Sequence, residues 1–281
     1  MELLAGRTAG RIVASKFGAR VSWLIAAALF AFVPPGLNAQ IDYRNLDDDR
    51  PTRVEDAYPV ERYAFELLAP WRYSRGSVGG VHAFIPELEY GLFSNFQVGA
   101  KLPIAGAPNA TGREWGVSGL RLFGLYNFNT ESRWLPAISV RADGVFPVGS
   151  LAGEGTHLTA KAIATRSWGR NRIHVNGAYT FGPAERVAVV EAADKWWVGA
   201  AADRTLFRQS TLLIGELYVL RSATGDPVQV NASVGVRYQW SPVLVLDFGL
   251  SRRLKRTGPD YEITLGLSRA VGIAGLLPSH K

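Results

Sequence analysis

A strict alternation of polar and apolar residues is the feature that most constrains this chain. In residues 226–240, which read "DPVQVNASVGVRYQW", Gln229 to Gln239 form a polar or small odd-numbered set, and Val230 to Trp240 form an apolar even-numbered set. Successive side chains of a strand point to opposite faces, so this segment has one polar and one apolar face. A soluble sandwich would bury the apolar face, whereas a membrane barrel would turn it outward to lipid.

Segments of this kind follow one another along the chain, separated by turn signals rich in glycine, proline, serine and asparagine. Most are about twice as long as the five or six residues usual in soluble proteins, and they suit the roughly 9 to 11 residues of a tilted membrane-crossing strand. The sequence therefore predicts an all-β fold, a closed transmembrane antiparallel up-and-down β-barrel of about 12 strands. The predicted strands are 62–73, 80–91, 94–104, 115–128, 134–147, 156–168, 171–182, 195–206, 209–221, 228–240, 243–254 and 260–273.

Two further features indicate that lipid contacts the apolar face. Longer connections alternate with shorter ones along the chain, as external loops alternate with periplasmic turns in outer-membrane barrels, and an even strand number places both termini in the periplasm. Tryptophan and tyrosine cluster near segment ends, for example at Trp71, Trp168, Tyr179 and Trp240, and these residue types concentrate at both edges of a membrane. We therefore expect the apolar set to face lipid and the polar set to face the interior.

The N-terminal residues predict export. A basic stretch runs to Arg20, the apolar run "VSWLIAAALFAFV" follows, and small residues precede a predicted cleavage site after Ala39. This order describes a secretory signal peptide over residues 1–39, with an uncleaved anchor as the alternative. The apolar run is shorter than the roughly 20 residues of a spanning helix. Together with the barrel, the signal predicts the cell outer membrane of a Gram-negative bacterium as the localisation.

The remaining chain divides into three parts. Residues 40–61 are acidic, contain prolines and are poor in apolar side chains, which indicates an N-terminal periplasmic arm. Residues 62–273 form the predicted outer-membrane β-barrel, and residues 274–281 form a C-terminal tail.

The role of the arm has two alternative interpretations. Its acidic run "LDDDR" at residues 46–50 is interpreted as a solvated loop, with cation binding as the alternative. The whole arm is also compatible with folding into the barrel and restricting its pore, through contacts with Arg121, Arg141 or Arg237. Deletion of residues 40–56 would distinguish a plug from a free arm by its effect on conductance.

Composition argues against several classes of function. The chain has no cysteine, which excludes disulfides and cysteine metal sites. Its net charge of +7 is raised by the basic stretch that runs to Arg20, and the rest of the chain carries both signs interspersed, unlike a nucleic-acid-binding surface. No G-x-S-x-G elbow is present, and His157 and His174 are interpreted as satisfied polar groups. We therefore expect no enzyme activity, no cofactor, no metal site and no nucleic-acid partner.

The polar faces of the predicted strands carry charged residues that are candidates for lining a pore. Mixed charges in a lumen can set a transverse field and select polar solutes; the alternative is that they pair across a filled interior and hold the barrel in shape. Barrels of about eight strands are filled by side chains, and those of 16 to 18 hold open channels. The candidates are Glu66, Glu87, Glu89, Lys101, Arg121, Arg141, Asp143, Lys161, His174, Glu216, Arg237, Asp247, Arg253 and Glu262.

Three segments carry a resemblance to a known family. The run "DDDRPTRVEDAYPVERYAFELL" leads into the first strand, and "PELEYGLFSNFQVGAKLPI" and "GLRLFGLYNFNTE" follow. From about residue 48 onward the chain resembles the outer-membrane β-barrel transporter family called MetA-pathway of phenol degradation. The resemblance implies a transporter-like barrel for small molecules, with aromatic compounds as a candidate solute class.

Taken together, these features predict an outer-membrane, porin-like channel for passive passage of small molecules. Its expected partners are outer-membrane lipid, a small-molecule solute and the barrel-assembly machinery during biogenesis. Two alternatives stay open: a structural outer-membrane barrel without transport, and a lipid-modifying membrane β-barrel enzyme, which would need serine and histidine in contact.

Overall fold

Alternating side chains build one antiparallel sheet in the computed structural model, which describes residues 41–272 apart from 78, 111, 185–187, 191–193 and 256–257, and apart from the side chains of 208 and 209. The predicted signal peptide, residues 1–39, and the predicted tail, residues 274–281, therefore lie outside the described residues. Among the described residues, no helix is both long and apolar enough to cross a membrane.

Sixteen strand segments in the described part of the chain form this sheet, and a single helical turn, α1 (Phe207–Ser210), joins two of them. The strand segments are β1 (Ala64–Leu68), β2 (Trp71–Gly76), β3 (Gly79–Phe84), β4 (Glu87–Phe93), β5 (Phe96–Lys101), β6 (Ile104–Asn109), β7 (Gly112–Val117), β8 (Leu120–Asn129), β9 (Ala137–Phe146), β10 (His157–Trp168), β11 (Asn171–Phe181), β12 (Asp194–Leu206), β13 (Thr211–Ser222), β14 (Gln229–Ser241), β15 (Leu244–Arg253) and β16 (Tyr261–Gly272).

These segments make a closed barrel of twelve strands, which confirms the predicted fold class. The first eight segments pair off into four long strands, β1 with β2, β3 with β4, β5 with β6 and β7 with β8, because each pair is interrupted by only two residues. The last strand, β16, pairs with both β1 and β2, and Ala64 lies opposite Gly272 where the barrel closes. Closure removes the unpaired sheet edges that hydrocarbon would not tolerate.

Each of the four long strands is interrupted, and the interruptions lie at neighbouring positions across the sheet, where they form a line that we call the crease. Pro70, Pro86 and Pro103 interrupt the first three strands, and Gly119, with φ of 108°, interrupts the fourth. Proline has no N–H to donate to a ladder, so each one breaks regular pairing. Hydrogen bonds continue across the crease from one strand to the next: Ile85 N to Pro70 O (2.9 Å), Leu102 N to Pro86 O (3.0 Å) and Ser118 N to Pro103 O (2.9 Å).

The two faces of the sheet are as predicted. On β14 the apolar residues point outward, with Val234 55% exposed and Trp240 68% exposed, whereas Arg237 on the other face is 0% exposed. The same order holds around the wall, where outward residues such as Leu217 and Phe248 are exposed and polar residues are buried inside. The apolar set therefore forms the outer surface and the polar set the interior.

The connections follow the predicted alternation only in part. The long connections 147–156 and 182–193 lie at the end of the barrel opposite the short turns 94–95 and 169–170. The expected long connection "AGAPNATGRE" is instead a tight hairpin, since β6 and β7 continue until Asn109 pairs with Gly112. The first connections are therefore short at both ends, because the creased strands are longer than the sequence pattern indicated.

Candidate functional site

Residues 41–61, here called the inserted segment, lie inside the barrel. They were expected as a periplasmic arm, and the structure places them instead against interior side chains of at least seven wall strands. Val54 and Ala57 are 0% exposed. The contacts with Arg121, Arg141 and Arg237 are those of the plug alternative. The physical reason is charge complementarity, because the acidic segment meets arginines and lysines that also face the interior.

Side chains of the wall satisfy the backbone of the inserted segment. Buried N–H and C=O groups need hydrogen-bond partners, and this segment forms no long ladder of its own. The partners come from strands all round the barrel: Val54 N donates to Glu216 Oε1 (2.6 Å), Glu55 N to Asn176 Oδ1 (2.9 Å), Ala57 N to Thr165 Oγ1 (3.0 Å) and Val60 N to Gln97 Oε1 (2.6 Å). The wall therefore holds one defined conformation of the segment.

An apolar patch on the interior face of β13 explains an exception in the sequence pattern. The run "TLLIGELYVL" is apolar on both faces apart from Glu216. Leu212, Ile214 and Leu220 point inward, at most 5% exposed, and form one hydrophobic cluster with Ile41 and Val54 of the inserted segment. An apolar patch on an interior wall that carries many charged residues was thus a signal, missed from sequence, that something covers it.

Glycines of the wall give the inserted segment room to approach. A Cβ added at Gly249 would lie 2.0 Å from the carbonyl oxygen of Pro51, and one at Gly199 would lie 2.9 Å from Cγ2 of Val54. Real side chains do not pack so closely, so these interior positions exclude anything larger than glycine unless the segment moves.

Asp48 is the centre of one buried ionic cluster. Its carboxylate lies 2.5 Å from Lys161 Nζ, 3.0 Å from Arg121 Nη1 and 3.7 Å from Arg141 Nη2. The same cations contact two further carboxylates, because Arg141 lies 2.7 Å from Glu55 and 2.9 Å from Asp143. The Asp48 cluster, defined as Asp48, Glu55, Asp143, Arg121, Arg141 and Lys161, therefore holds three carboxylates and three cations.

Asp47 belongs to a second cluster on the other side of the inserted segment. Arg50 contacts Asp47 and also lies 3.0 Å from Asp247, while Arg237 lies 3.3 Å from Asp47 and 2.9 Å from Asp247. Three glutamates of the first two strands complete it, of which Glu87 lies 3.3 Å from Lys101. The Asp47 cluster is defined as Asp47, Glu66, Glu87, Glu89, Asp247, Arg50, Lys101 and Arg237.

His174 forms a relay that resembles part of a catalytic triad. Thr165 Oγ1 lies 2.9 Å from His174 Nδ1, and His174 Nε2 lies 2.9 Å from Asp203 Oδ2. Thr165 and His174 are 0% exposed, and the threonine hydroxyl accepts the N–H of Ala57. A nucleophile must reach its substrate, so this arrangement anchors the inserted segment and gives no support to the enzyme alternative.

The structure brings most of the predicted pore-lining residues together in these clusters. Arg253 and Glu262 lie apart, near the end with the long connections, where Glu262 accepts from Ser74 Oγ (2.5 Å) and Arg253 donates to Gly258 O (3.0 Å). Arg121 is half-buried. The buried interior residues are Glu66, Glu87, Glu89, Lys101, Arg141, Asp143, Lys161, His174, Glu216, Arg237 and Asp247. Sequence reasoning did not assign the individual partners of these residues within the inserted segment, namely Asp47, Asp48, Arg50 and Glu55.

Two cavities lie on opposite sides of the inserted segment. One of about 570 Å³ opens at the long-connection end, and Asp49, Thr52 and Arg53 form its floor. Charged, hydroxyl-bearing and apolar side chains line it together, among them Arg72, Asp194, Glu262, Ser74, Ser233, Thr264, Val81, Tyr218 and Leu220. The other, of about 180 Å³, lies at the short-turn end beside Tyr58 and Glu61. The inserted segment and its two ionic clusters separate these spaces.

Comparison with solved structures places this fold among outer-membrane barrels. An outer membrane channel from Pseudomonas putida F1 superposes with a TM-score of 0.57 at 13% identity, covering 76% of this chain and 98% of that chain. The KdgM porin gives 0.52 at 10% identity and the NanC porin 0.50 at 8%, each over 73% of this chain and 98% of the other. Neither a protein-family model nor a curated protein sequence matches the chain. At these identities the likeness establishes the fold, and the resemblance to the phenol-degradation family stays a prediction.

Proposed function

We propose that this protein is a channel of the bacterial outer membrane through which small molecules pass passively, and that the inserted segment sets its restricted bore. One observation carries the proposal: a cavity of about 570 Å³ reaches from the long connections down to residues 49–53 of the inserted segment. That volume lies within the range of small-molecule sites, about 300–1,000 Å³. A barrel wall with an apolar outer surface and a water-accessible interior suits this role.

The predicted pore-lining residues take two roles in this proposal. Of the predicted residues, Arg121 and Glu262 line the cavity of about 570 Å³ at the long-connection end, where a solute would first bind. The buried ionic clusters below it would hold the segment, and a solute would pass them only when the segment shifts. Export by a cleaved signal peptide, insertion by the barrel-assembly machinery and contact with outer-membrane lipid complete the proposal.

The solute class follows from the cavity wall and from the family resemblance. The wall combines hydroxyls of Thr52, Ser233 and Thr264 and charged groups such as Arg72 with apolar surface from Val81 and Leu220. Such a lining suits a small molecule with an apolar body and a hydrogen-bonding group, and aromatic compounds such as phenols have that character. The family resemblance independently implies the same class.

A structural barrel without transport is the second candidate. The observation in its favour is the dense set of interior ion pairs, including Arg141 with Glu55 at 2.7 Å and Arg172 with Asp56 at 2.9 Å. Charges that pair across a filled interior can serve to hold the barrel in shape. The two candidates differ in one property, which is whether solutes cross a membrane that contains the protein.

A reversible lock on the inserted segment tests the proposal. The Val54→Cys/Gly199→Cys pair suits a disulfide, because a Cβ at Gly199 would lie 2.9 Å from Cγ2 of Val54 and a Cβ lies about 3 Å from the partner sulfur in a disulfide. The chain has no other cysteine. We expect liposomes with the oxidised variant to swell slowly in phenolic solutes, and faster after reduction.

The Val54→Cys single variant, treated in the same way, is the control for effects of the reductant. If wild-type and reduced double-variant liposomes both admit no solute from a panel of sugars, amino acids and aromatic acids, the structural barrel is correct. Equal swelling of the oxidised and reduced double variant would instead refute the role of the segment and leave the channel.

A further inference from the structure

Three carboxylates of the Asp47 cluster converge at one point inside the barrel. Glu66 on β1 and Glu89 on β4 are direct cross-strand partners, and Asp47 of the inserted segment reaches the same point. One carboxylate oxygen of each lies within 4.8 Å of the corresponding oxygen of the other two. The residues are 4%, 1% and 5% exposed respectively, so water competes little for them.

Two of these carboxylates have oxygens without a partner. Oε1 of Glu66 and Oε2 of Glu89 are buried, and neither accepts a hydrogen bond from any group in the described part of the chain. Oε1 of the neighbouring Glu87 is also buried and accepts no hydrogen bond from the described part of the chain. A buried carboxylate without a compensating charge or hydrogen bond is costly, so these oxygens point to a group that satisfies them.

The nearby cations form ion pairs with other carboxylates, although the three guanidinium nitrogens of Arg237 make no hydrogen bond in the described part of the chain. Arg50 and Arg237 both contact Oδ2 of Asp47, and both also contact Asp247. Lys101 lies between Glu87, at 3.3 Å, and Asp48, at 3.4 Å. The Asp47 cluster counts five carboxylates against three cations, one of which, Lys101, it shares with Asp48, whereas the Asp48 cluster counts three of each without Lys101.

We propose that Asp47, Glu66 and Glu89 bind a divalent metal ion, with calcium as the best-matched ion. Calcium takes carboxylate oxygens at about 2.3–2.6 Å, so any two of its ligands lie at most about 5.2 Å apart, and the three oxygens of this site, all within 4.8 Å of one another, meet that limit. Its charge would offset the excess of two carboxylates over cations in the cluster. The ion ties the inserted segment, through Asp47, to the first two strands of the wall.

Metal content of the purified full-length protein tests this directly. Protein in detergent is stripped with EDTA and dialysed against buffered calcium chloride, and bound calcium is counted by mass spectrometry. We expect one calcium per chain, and affinity about tenfold or more weaker in Glu66→Gln and Glu89→Gln, because the number of charged ligands sets calcium affinity. The matched control is Glu216→Gln, which alters another buried carboxylate that holds the same segment and should keep full calcium binding.

Thermal unfolding supplies a second measurement that needs no transport. Calcium should raise the unfolding midpoint of the EDTA-treated wild type by several degrees, and should leave Glu89→Gln unchanged. If the glutamine variants fail to fold, the wild-type stoichiometry and midpoint decide alone. The proposal is overturned if the wild type retains no calcium. It is also overturned if calcium does not change the unfolding midpoint of the wild type and Glu89→Gln unfolds at a higher temperature than the wild type. In that case the carboxylates share protons and bind no metal ion.

Discussion

Asp47 and Asp48 are adjacent in the chain and yet belong to two different electrostatic environments. Asp48 contacts Lys161, Arg121 and Arg141 in a cluster whose charges cancel. Asp47 contacts Arg50 and Arg237 in a cluster with two carboxylates in excess. Neighbouring residues of the inserted segment thus reach opposite parts of the wall. The comparison shows that one side of the segment is held by the chain's own charges, and that the other needs an added cation or protons.

Asp48→Asn is expected to cause the largest loss in the free energy of unfolding. It leaves several buried cations without their shared carboxylate, and breaking a buried ion pair costs about 3–5 kcal/mol. Asp47→Asn, measured in EDTA, should cost far less because it also relieves repulsion with Glu66 and Glu89. Urea unfolding of the folded barrel, followed by tryptophan fluorescence, measures both. Equal losses for the two variants would show that the clusters do not differ.

A smaller effect is expected from filling the space that the segment uses. In Gly249→Ala the new Cβ would lie 2.0 Å from Pro51 O, so the segment must shift, at a cost of about 1–3 kcal/mol for overpacking. Gly215→Ala is the matched control, since nothing lies within 4 Å of its Cβ position. Unfolding midpoints and single-channel conductance should change in the first variant only. If Gly249→Ala changed neither the unfolding midpoint nor the conductance, the result would contradict the close packing at Pro51.

The smallest expected change in stability concerns a hydrogen-bonded carboxylate, Glu131, that holds the inserted segment at the short-turn end. Glu131, in the turn after β8, accepts from the Tyr58 hydroxyl (2.8 Å) and from Ser167 N (2.8 Å) and Oγ (2.7 Å). Burial alone would raise the pKa of Glu131, but the hydrogen bonds from Ser167 and Tyr58 outweigh it and hold the pKa below its usual value. Because the folded-state pKa is depressed, the contribution of Glu131 is present above the pKa of the unfolded chain and is lost as pH falls through the folded value.

Glu131→Gln isolates that contribution. The difference in unfolding free energy between wild type and variant should be about 1 kcal/mol at neutral pH and should shrink below about pH 4, near the ordinary glutamate pKa. Acid unfolding curves of both proteins measure it. A difference that grows towards acid pH would reverse the sign and refute the argument.

The wall of the barrel could be predicted from sequence because its pattern is local. Each strand carries its own alternation, so β14 and β16 were placed within a few residues. The crease was not predicted, although Pro70, Pro86 and Pro103 are visible in the sequence, because their alignment depends on the register between strands. Register is a property of the assembled sheet and not of any one segment.

The sequence predicted which residues face the interior, but it did not predict how these residues pair with one another. Alternation identified Arg141, Lys161 and Arg237 as inward-facing, but no local rule pairs them with Asp48, Glu55 or Asp47 more than 80 residues away in the chain. The inserted segment was interpreted as a periplasmic arm because its composition is that of a solvated linker. The inward apolar residues of β13 were the sequence signal against that interpretation.

Single-channel conductance of the protein with and without residues 40–56 tests the central claim most directly. If the inserted segment restricts the bore, the deletion variant, confirmed as folded by its heat-dependent gel mobility, should show a severalfold larger conductance than the full chain in a planar bilayer. An unchanged conductance in the folded variant would contradict the account.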